Sequence, residues 1–500
     1  MTEQEAAETG FRRGKEILFA PAVLLFLVFF QVVYFAIAFR LERLFIFEDD
    51  FIRLTYARFA FPHLFTIHPW GEWGWLPATT FLQGIAAAVL PFGLVANVLL
   101  PNLALTIGSI FLIDRLALRI SPGPERLAGP ALFALSPITA WLATSALSEP
   151  ATIFLLLLQC YLLVRFLEQA RTIYYVGATI AAALAMLIRF ESWFVCPVLL
   201  AMGVALAWRE GGMRVARTPL LVGLAALAAP LSWMTGQWIR FGDPLHTLHT
   251  MAGMHEPLNL RLSGLEVFQT MMEALAHIAL PAWILLVLAG FLALLELVRG
   301  SISTAWQRPS PAVLFPLLAF LLLFAIFLYS VLTYRWGFPL HRFILAWLAP
   351  AFPLMCYPLV RVGKQHAQKY ILLLLALSLP WFFHIDRDRP DIYAEHGLLA
   401  WKQVEDAAQA GEQEPTADVV IPEGQAEFAA ASATAFAPSV TYTVVPVSDG
   451  NYLAAIEESD TGFVVIRRPL LPASEDLLRH QLLYADEYYA VLVPREQEAP

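Results

Sequence analysis

The chain has 500 residues, of which 59% are hydrophobic and 15% charged, and a mean hydropathy of +0.63 takes it out of the soluble classes and into the polytopic membrane proteins. Its formal charge of −9 combines two unlike parts, residues 391–500 with 19 acids against 5 bases and residues 1–390 with 22 acids against 27 bases. Neither part offers the long basic stripe that nucleic acid requires, and three isolated cysteines in apolar runs (Cys160, Cys196 and Cys356) exclude a disulfide scaffold or a thiolate metal centre.

The first apolar run, Ile17 to Phe39, is long enough to cross a hydrocarbon core of about 30 Å at about 1.5 Å per residue. It is too long for the core of a signal peptide and has no small-residue cleavage site, so it reads as an anchoring first helix. Further spans are expected at 93–114, 128–144, 149–167, 173–188, 192–208, 219–239, 274–298, 312–333, 343–360 and 370–385, about eleven crossings in all. Leu76 to Pro91 is apolar but short and bounded by prolines, which suits a helix at the membrane interface better than a full span.

Orientation follows from the loop bases. With the N-terminus cytoplasmic, the inner segments collect 16 bases, among them Arg12, Arg13, Lys15, Arg115, Arg214 and Lys364. The outer side receives Glu48, Asp49, Asp50, Glu149, Glu191 and Asp243 with interleaved arginines. An odd number of crossings puts the acidic tail outside as well. In that tail, residues 391–416 read as a linker, and residues 417–500 as a small α/β domain with strands at 418–422, 439–447, 463–466 and 488–493 and helices near 425–436 and 474–483. It carries no phosphate loop or nucleophile motif, so it reads as a cap rather than a second enzyme.

The first outer loop runs Phe47-Glu48-Asp49-Asp50-Phe51-Ile52-Arg53-Leu54-Thr55-Tyr56-Ala57-Arg58. Three consecutive carboxylates repel one another, which raises at least one pKa unless a cation compensates. Such a group suits base catalysis or cation binding; a solvated loop countered by Arg53 and Arg58 is the bland alternative. Other ionisable groups reach the same side at Ser148-Glu149-Pro150, Arg189-Phe190-Glu191 and Phe241-Gly242-Asp243-Pro244. Because such groups are expensive at membrane depth, several helix ends carrying them suggest one shared aqueous cavity, with separate anchoring salt bridges as the plainer reading. His246 and His249 have a spacing that can put two imidazoles on one helical face. A divalent metal is one use of that pair; acceptor binding or an ordinary polar surface is the other, and no metal ligand set is assigned.

The acid loop through Tyr56-Ala57-Arg58 resembles the first-loop motif of the C-type membrane glycosyltransferases, the superfamily of protein O-mannosyltransferases and the lipid A aminoarabinose transferase. Trp75-Leu76-Pro77, Ser148-Glu149-Pro150, Phe241-Gly242-Asp243-Pro244-Leu245 and His341-Arg342-Phe343-Ile344-Leu345 with Pro350 continue the resemblance in order, over about residues 17–385. Two departures stand out: the acid pair registers on Tyr56 only as Glu48-Asp49, and Phe343 replaces a tyrosine.

The resemblance implies an all-α transmembrane transferase domain, here residues 1–390, with interfacial helices in the first outer loop; the small extracytoplasmic α/β domain behind it is read from the tail's own pattern. It implies inverting transfer of a hexosyl or pentosyl group from a polyprenyl-phosphate sugar to a lipid, glycan or protein hydroxyl outside a bacterial inner or plasma membrane. In that picture Asp49 is the base beside Asp50 and Glu48. Arg342, Arg189 and Arg335 hold the carrier phosphate, and Glu149, Glu191, Asp243, His246 and His249 bind substrate. A transporter or flippase, or a non-catalytic scaffold of the same family, is the alternative. Charges gathered at one face and the lack of an inverted repeat favour the enzyme.

Overall fold

The computed structural model describes residues 3–40, 53, 76–249, 310–334, 341–356, 359, 368–373, 376, 392–411, 416–422, 441–447, 451–459, 462–467, 473, 477, 479–485 and 489–495. Helix α1 (Glu3–Arg40) contains the expected first span, Phe19–Arg40. The interfacial segment forms α2 (Ala78–Val89), followed by α3 (Leu94–Ile120). Among the described residues, six helices are long and apolar enough to cross a membrane: Phe19–Arg40, Val95–Ile120, Glu149–Gln169, Ser192–Met213, Val215–Phe241 and Pro311–Tyr329. Three shorter apolar helices accompany them. The expected span at 274–298 and most of that at 370–385 lie outside the described residues.

The expected span at 128–144 is not one helix. It is divided into α4 (Ala128–Ala134) and α5 (Pro137–Ala143). The cause is Pro137, which pushes the residue before it out of the helical region; Ser136 sits at φ −66°, ψ 125°. Breaking a buried helix frees carbonyl groups that need donors, and Gln31 of α1 donates its side-chain N–H to the Ala134 carbonyl at 2.5 Å. Close packing surrounds the break. A side chain on Gly129 would collide with the Phe352 carbonyl oxygen, so the backbones of α4 and the 3-10 segment Ala349–Met355 touch.

The centre of the bundle is α6 (Glu149–Gln169), packed against α3, α7 (Thr172–Met186), α8 (Ser192–Ala225, interrupted at Gly212) and α10 (Pro311–Tyr334). Its Leu156, Leu157, Cys160 and Leu163 are fully buried beside Ala178, Ala182 and Ala185 of α7. Small residues let helices approach closely where lipid offers no hydrophobic drive to associate. Cys160, Cys196 and Cys356 are buried free thiols. Helix α9 (Ala228–Phe241) ends on Gly242, in the left-handed region at φ 72°. Helix α11 (His341–Leu348) packs against α5 and α6.

The C-terminal residues form a five-stranded sheet in the order β2-β1-β3-β5-β4, from β1 (Thr416–Pro422), β2 (Thr441–Val447), β3 (Phe463–Arg467), β4 (His480–Ala485) and β5 (Tyr489–Pro494). β1 is parallel to β2 and β3, while β5 runs antiparallel to β3 and β4. The segment read as a linker is largely helical, α12 (Ile392–Ala410), and its Trp401, Val404 and Ala408 cover Val419, Phe463 and Val465 on one sheet face. Alternate residues Val420, Val464 and Leu492 face the other way, towards Ile456 of α13 (Tyr452–Glu457). The helix expected near 474–483 is also corrected. Apolar pairs at Leu477-Leu478 and Leu482-Leu483 fit helical spacing, but pairing with β5 makes His480–Ala485 an edge strand, with a register irregularity between Leu482 and Tyr484.

Candidate functional site

The polar groups gather where α6 begins. Glu149 opens that helix behind Ser148, with Pro150 in its first turn, where an acid is favoured by the exposed backbone N–H groups. Its side chain is 2% exposed. The hairpin between α7 and α8 brings Arg189 to it: Arg189 Nη1 lies 2.9 Å from Glu149 Oε1. The same guanidinium grips Glu191 with both edges, Nη2 to Oε1 at 2.8 Å and Nε to Oε2 at 3.3 Å. Burial alone would drive Glu191 up, but the Arg189 charge and its hydrogen bonds hold the carboxyl below its ordinary value. Burial likewise opposes the Arg189 charge, yet Glu191 and Glu149 raise its pKa. Two carboxylates on one guanidinium leave the cluster formally at −1.

The backbone around this cluster is tied by side chains from neighbouring helices. Between α5 and α6 the chain is non-helical from Thr144 to Ser148 and wholly buried. Asn102 of α3 donates to the carbonyls of Ser145 at 2.7 Å and Leu147 at 2.8 Å, and Gln83 of α2 donates to Ala146 at 2.6 Å. The first amide of α2, Ala78 N–H, donates to the Leu187 carbonyl at 3.0 Å, in the hairpin that bears Arg189. Sequence reading passed over Gln83 and Asn102. Carboxamides inside otherwise apolar helices were the available signal.

The Phe241-Gly242-Asp243 turn makes a second cluster at the end of α9. Asp243 Oδ1 accepts the Leu245 N–H at 2.9 Å, and Oδ2 lies 2.7 Å from His249 Nδ1. The Leu245 N–H first, and then His249, hold this carboxyl below its usual range. His246 stacks on Phe241 with ring centroids 4.0 Å apart, and the Arg240 guanidinium lies 4.9 Å from the centre of that ring. Thr247 is anchored to Gln237 at 3.1 Å.

The sequence expectations therefore divide three ways. Glu149, Glu191 and Arg189 come together, but Arg189, expected at the carrier phosphate, holds two carboxylates. Asp243, His246 and His249 form their own cluster. Arg342 stands in the first turn of α11, the helix packed on α5 and α6. Glu48, Asp49, Asp50 and Arg335 lie outside the described residues, although Arg53 of the same loop is buried, with 3% of its surface exposed. Among the described residues no three His, Cys, Asp or Glu side chains converge as a metal site would need.

No family model matches the sequence, and no curated protein matches it either. Solved structures do. Apo ArnT from Cupriavidus metallidurans aligns over 95% of this chain and 98% of its own, with a TM-score of 0.53 at 15% identity. The chain shares the fold of that ArnT structure. ArnT from Cupriavidus metallidurans bound to undecaprenyl phosphate aligns with a TM-score of 0.48 at 15% identity, over 94% of this chain and 98% of that one. The Archaeoglobus fulgidus oligosaccharyltransferase AglB, in complex with an inhibitory peptide and a dolichol-phosphate, has a TM-score of 0.48 at 11% identity, over 90% of this chain and 69% of that one.

Proposed function

We propose that this protein is a membrane glycosyltransferase that moves a sugar from a polyprenyl-phosphate carrier to an acceptor hydroxyl on the extracytoplasmic side, with inversion at the anomeric carbon. The observation that carries this reading is the chain-long likeness to apo ArnT, which spans nearly all of both chains. Support comes from the carrier class, since ArnT has been captured with undecaprenyl phosphate, and from the ionisable groups gathered at the start of α6.

In the reaction the acceptor oxygen attacks the anomeric carbon while a carboxylate of the first outer loop takes its proton. Asp49 is assigned as that base, with Glu48 and Asp50 beside it. The bond from the anomeric carbon to the phosphate oxygen breaks, and the polyprenyl phosphate leaves with the electron pair. Arg342 and Arg335 meet the developing charge, for which a forked guanidinium is suited. Glu149 and Glu191, held by Arg189, accept hydrogen bonds from substrate hydroxyls, and Asp243, His246 and His249 line the acceptor side. The N-terminus is cytoplasmic and the C-terminal sheet, with α12 on it, extracytoplasmic.

The test is turnover of radiolabelled polyprenyl-phosphate sugars by purified protein in lipid nanodiscs. Asp49→Asn keeps size but accepts no proton, so transfer should fall by about 10² to 10⁴ while carrier binding persists. Loss in Asp50→Asn alone would move the base by one residue. Wild-type rates in Asp49→Asn, Asp50→Asn and the double variant would remove the mechanism, and accumulation of unmodified carrier on the opposite leaflet would turn the reading to a flippase.

A further inference from the structure

The chain from Leu127 to Ile153 is buried without interruption, and Thr144 to Ser148 within it is not helical. Irregular backbone at such depth survives only where protein groups satisfy its carbonyls. Three successive carbonyls, Ser145, Ala146 and Leu147, receive their donors from two side chains on two different helices, Asn102 of α3 and Gln83 of α2. Carbonyls only accept, so each carboxamide must present its nitrogen to the turn, and its orientation is settled by its partners. Among the described residues, the opposite ends, Gln83 Oε1 and Asn102 Oδ1, are buried with no hydrogen-bond partner. A side chain that leaves its own acceptor bare in an apolar interior is there for its donors.

The turn so held ends one residue before Glu149. Ser148 Oγ lies 3.5 Å from Arg189 Nη1, the nitrogen that also holds Glu149 Oε1. Helix α2 grips both sides of this contact: Ala78 N–H bonds the Leu187 carbonyl of the Arg189 hairpin, and Gln83, five residues on, bonds Ala146. The spacing between Glu149 and the Arg189–Glu191 pair is thus measured along α2, which in sequence follows the acidic first loop.

We propose that Gln83 and Asn102 are positioning residues of the transferase: they fix the Ser145–Ser148 turn so that Glu149 meets Arg189 and Glu191, and α2 ties that arrangement to the chain arriving from the first outer loop. The inference rests on the transferase reading and extends it to two residues that need touch no substrate. It makes their effect on transfer run through Glu149.

A double-mutant cycle reads that directly. Transfer from a labelled polyprenyl-phosphate sugar is measured for wild type, Gln83→Met, Glu149→Gln and the double variant, each checked for folding by size-exclusion profile and unfolding midpoint. Gln83→Met keeps length but has no donor; it should lower kcat about tenfold or more, with KM for the donor changed by less than about threefold, and should cost nothing further once Glu149 is Gln. Gln83→His, which keeps a neutral N–H, should hold near-wild-type kcat, and Asn102→Leu takes the place of Gln83→Met in the cycle if the latter does not accumulate. Asn102→Leu should repeat the non-additive pattern. Equal fractional losses in both Glu149 backgrounds, or unchanged kcat in Gln83→Met, would overturn the proposal. A wild-type protein that transfers no sugar from any lipid carrier would instead strike the transferase reading.

Discussion

Two charged clusters in this molecule are built on opposite plans. Arg189 pairs with Glu149, 40 positions away in sequence, and Glu149 is 2% exposed. Asp243 and His249 are six residues apart, and the His249 side chain is 67% exposed. The first cluster depends on three helices meeting, whereas the second is assembled by one turn after Gly242. A buried charge must keep its partner or face desolvation alone; an exposed pair is screened by water and contributes little to stability. Disturbing the first should therefore damage the fold together with the chemistry. Disturbing the second should leave the fold in place and change only what its exposed imidazole does.

The sharpest break of that contrast is Arg189→Ala, which takes from buried Glu149 the guanidinium 2.9 Å away. It should lose about 3 to 5 kcal/mol, the range for breaking a buried pair from one side, read as a lower unfolding midpoint in nanodiscs. Asp243→Asn in the same assay should leave the midpoint close to wild type while altering acceptor use. Similar midpoints for the two variants would erase the distinction. Next in size is Arg342→Ala. Loss of a charge-assisted contact costs about 1.5 to 3 kcal/mol, roughly ten- to more than a hundredfold in donor use, and a folded variant with unchanged donor kinetics would take α11 out of the site.

Acid titration gives a smaller effect and separates the clusters by shape. Glu191 and Asp243 both have folded pKa values below the ordinary carboxylate value, so each contributes stability that is fully present above that value and is lost as pH falls through the lowered one. The acid limb of unfolding should flatten in Glu191→Gln and change little in Asp243→Asn. The smallest expected effect is in the C-terminal sheet. His480 is 3% exposed, and burial lowers its pKa. Its neutral form is favoured in the fold, so stability should decline as pH drops below the unfolded value of about 6.5 and level off below the folded one. His480→Gln should remove that slope from amide exchange in β4 and β5.

How legible each region was follows from how local its causes are. The spans at 149–167 and 312–333 were readable because a run of some 20 apolar residues in a bilayer has one stable form, a helix. The break at Ser136 has an equally local cause in Pro137, although the apolar run around it has the length of a single span. The helix expected at 474–483 failed for another reason: the Leu477-Leu478 and Leu482-Leu483 pairs satisfy helical spacing, and only β5, arriving later in the chain, offers these residues a ladder. The connector reading of 391–416 missed α12 because its Trp401, Val404 and Ala408 form an apolar stripe only when a sheet exists to receive them.

The sequence by itself determined that the protein is built of membrane helices, that many of its ionisable groups sit at helix ends and that the segment after the first span is acidic, because hydropathy and the cost of charge in lipid act residue by residue. Only the tertiary structure decided which charges pair. Arg189 was one of several arginines near the same face until the α7–α8 hairpin placed it between Glu149 and Glu191, and Gln83 and Asn102 were two amides in apolar helices until the α5–α6 turn exposed three carbonyls to them. Pairing depends on distances between segments far apart in the chain, and those distances come from helix packing, to which no single stretch of sequence is sensitive.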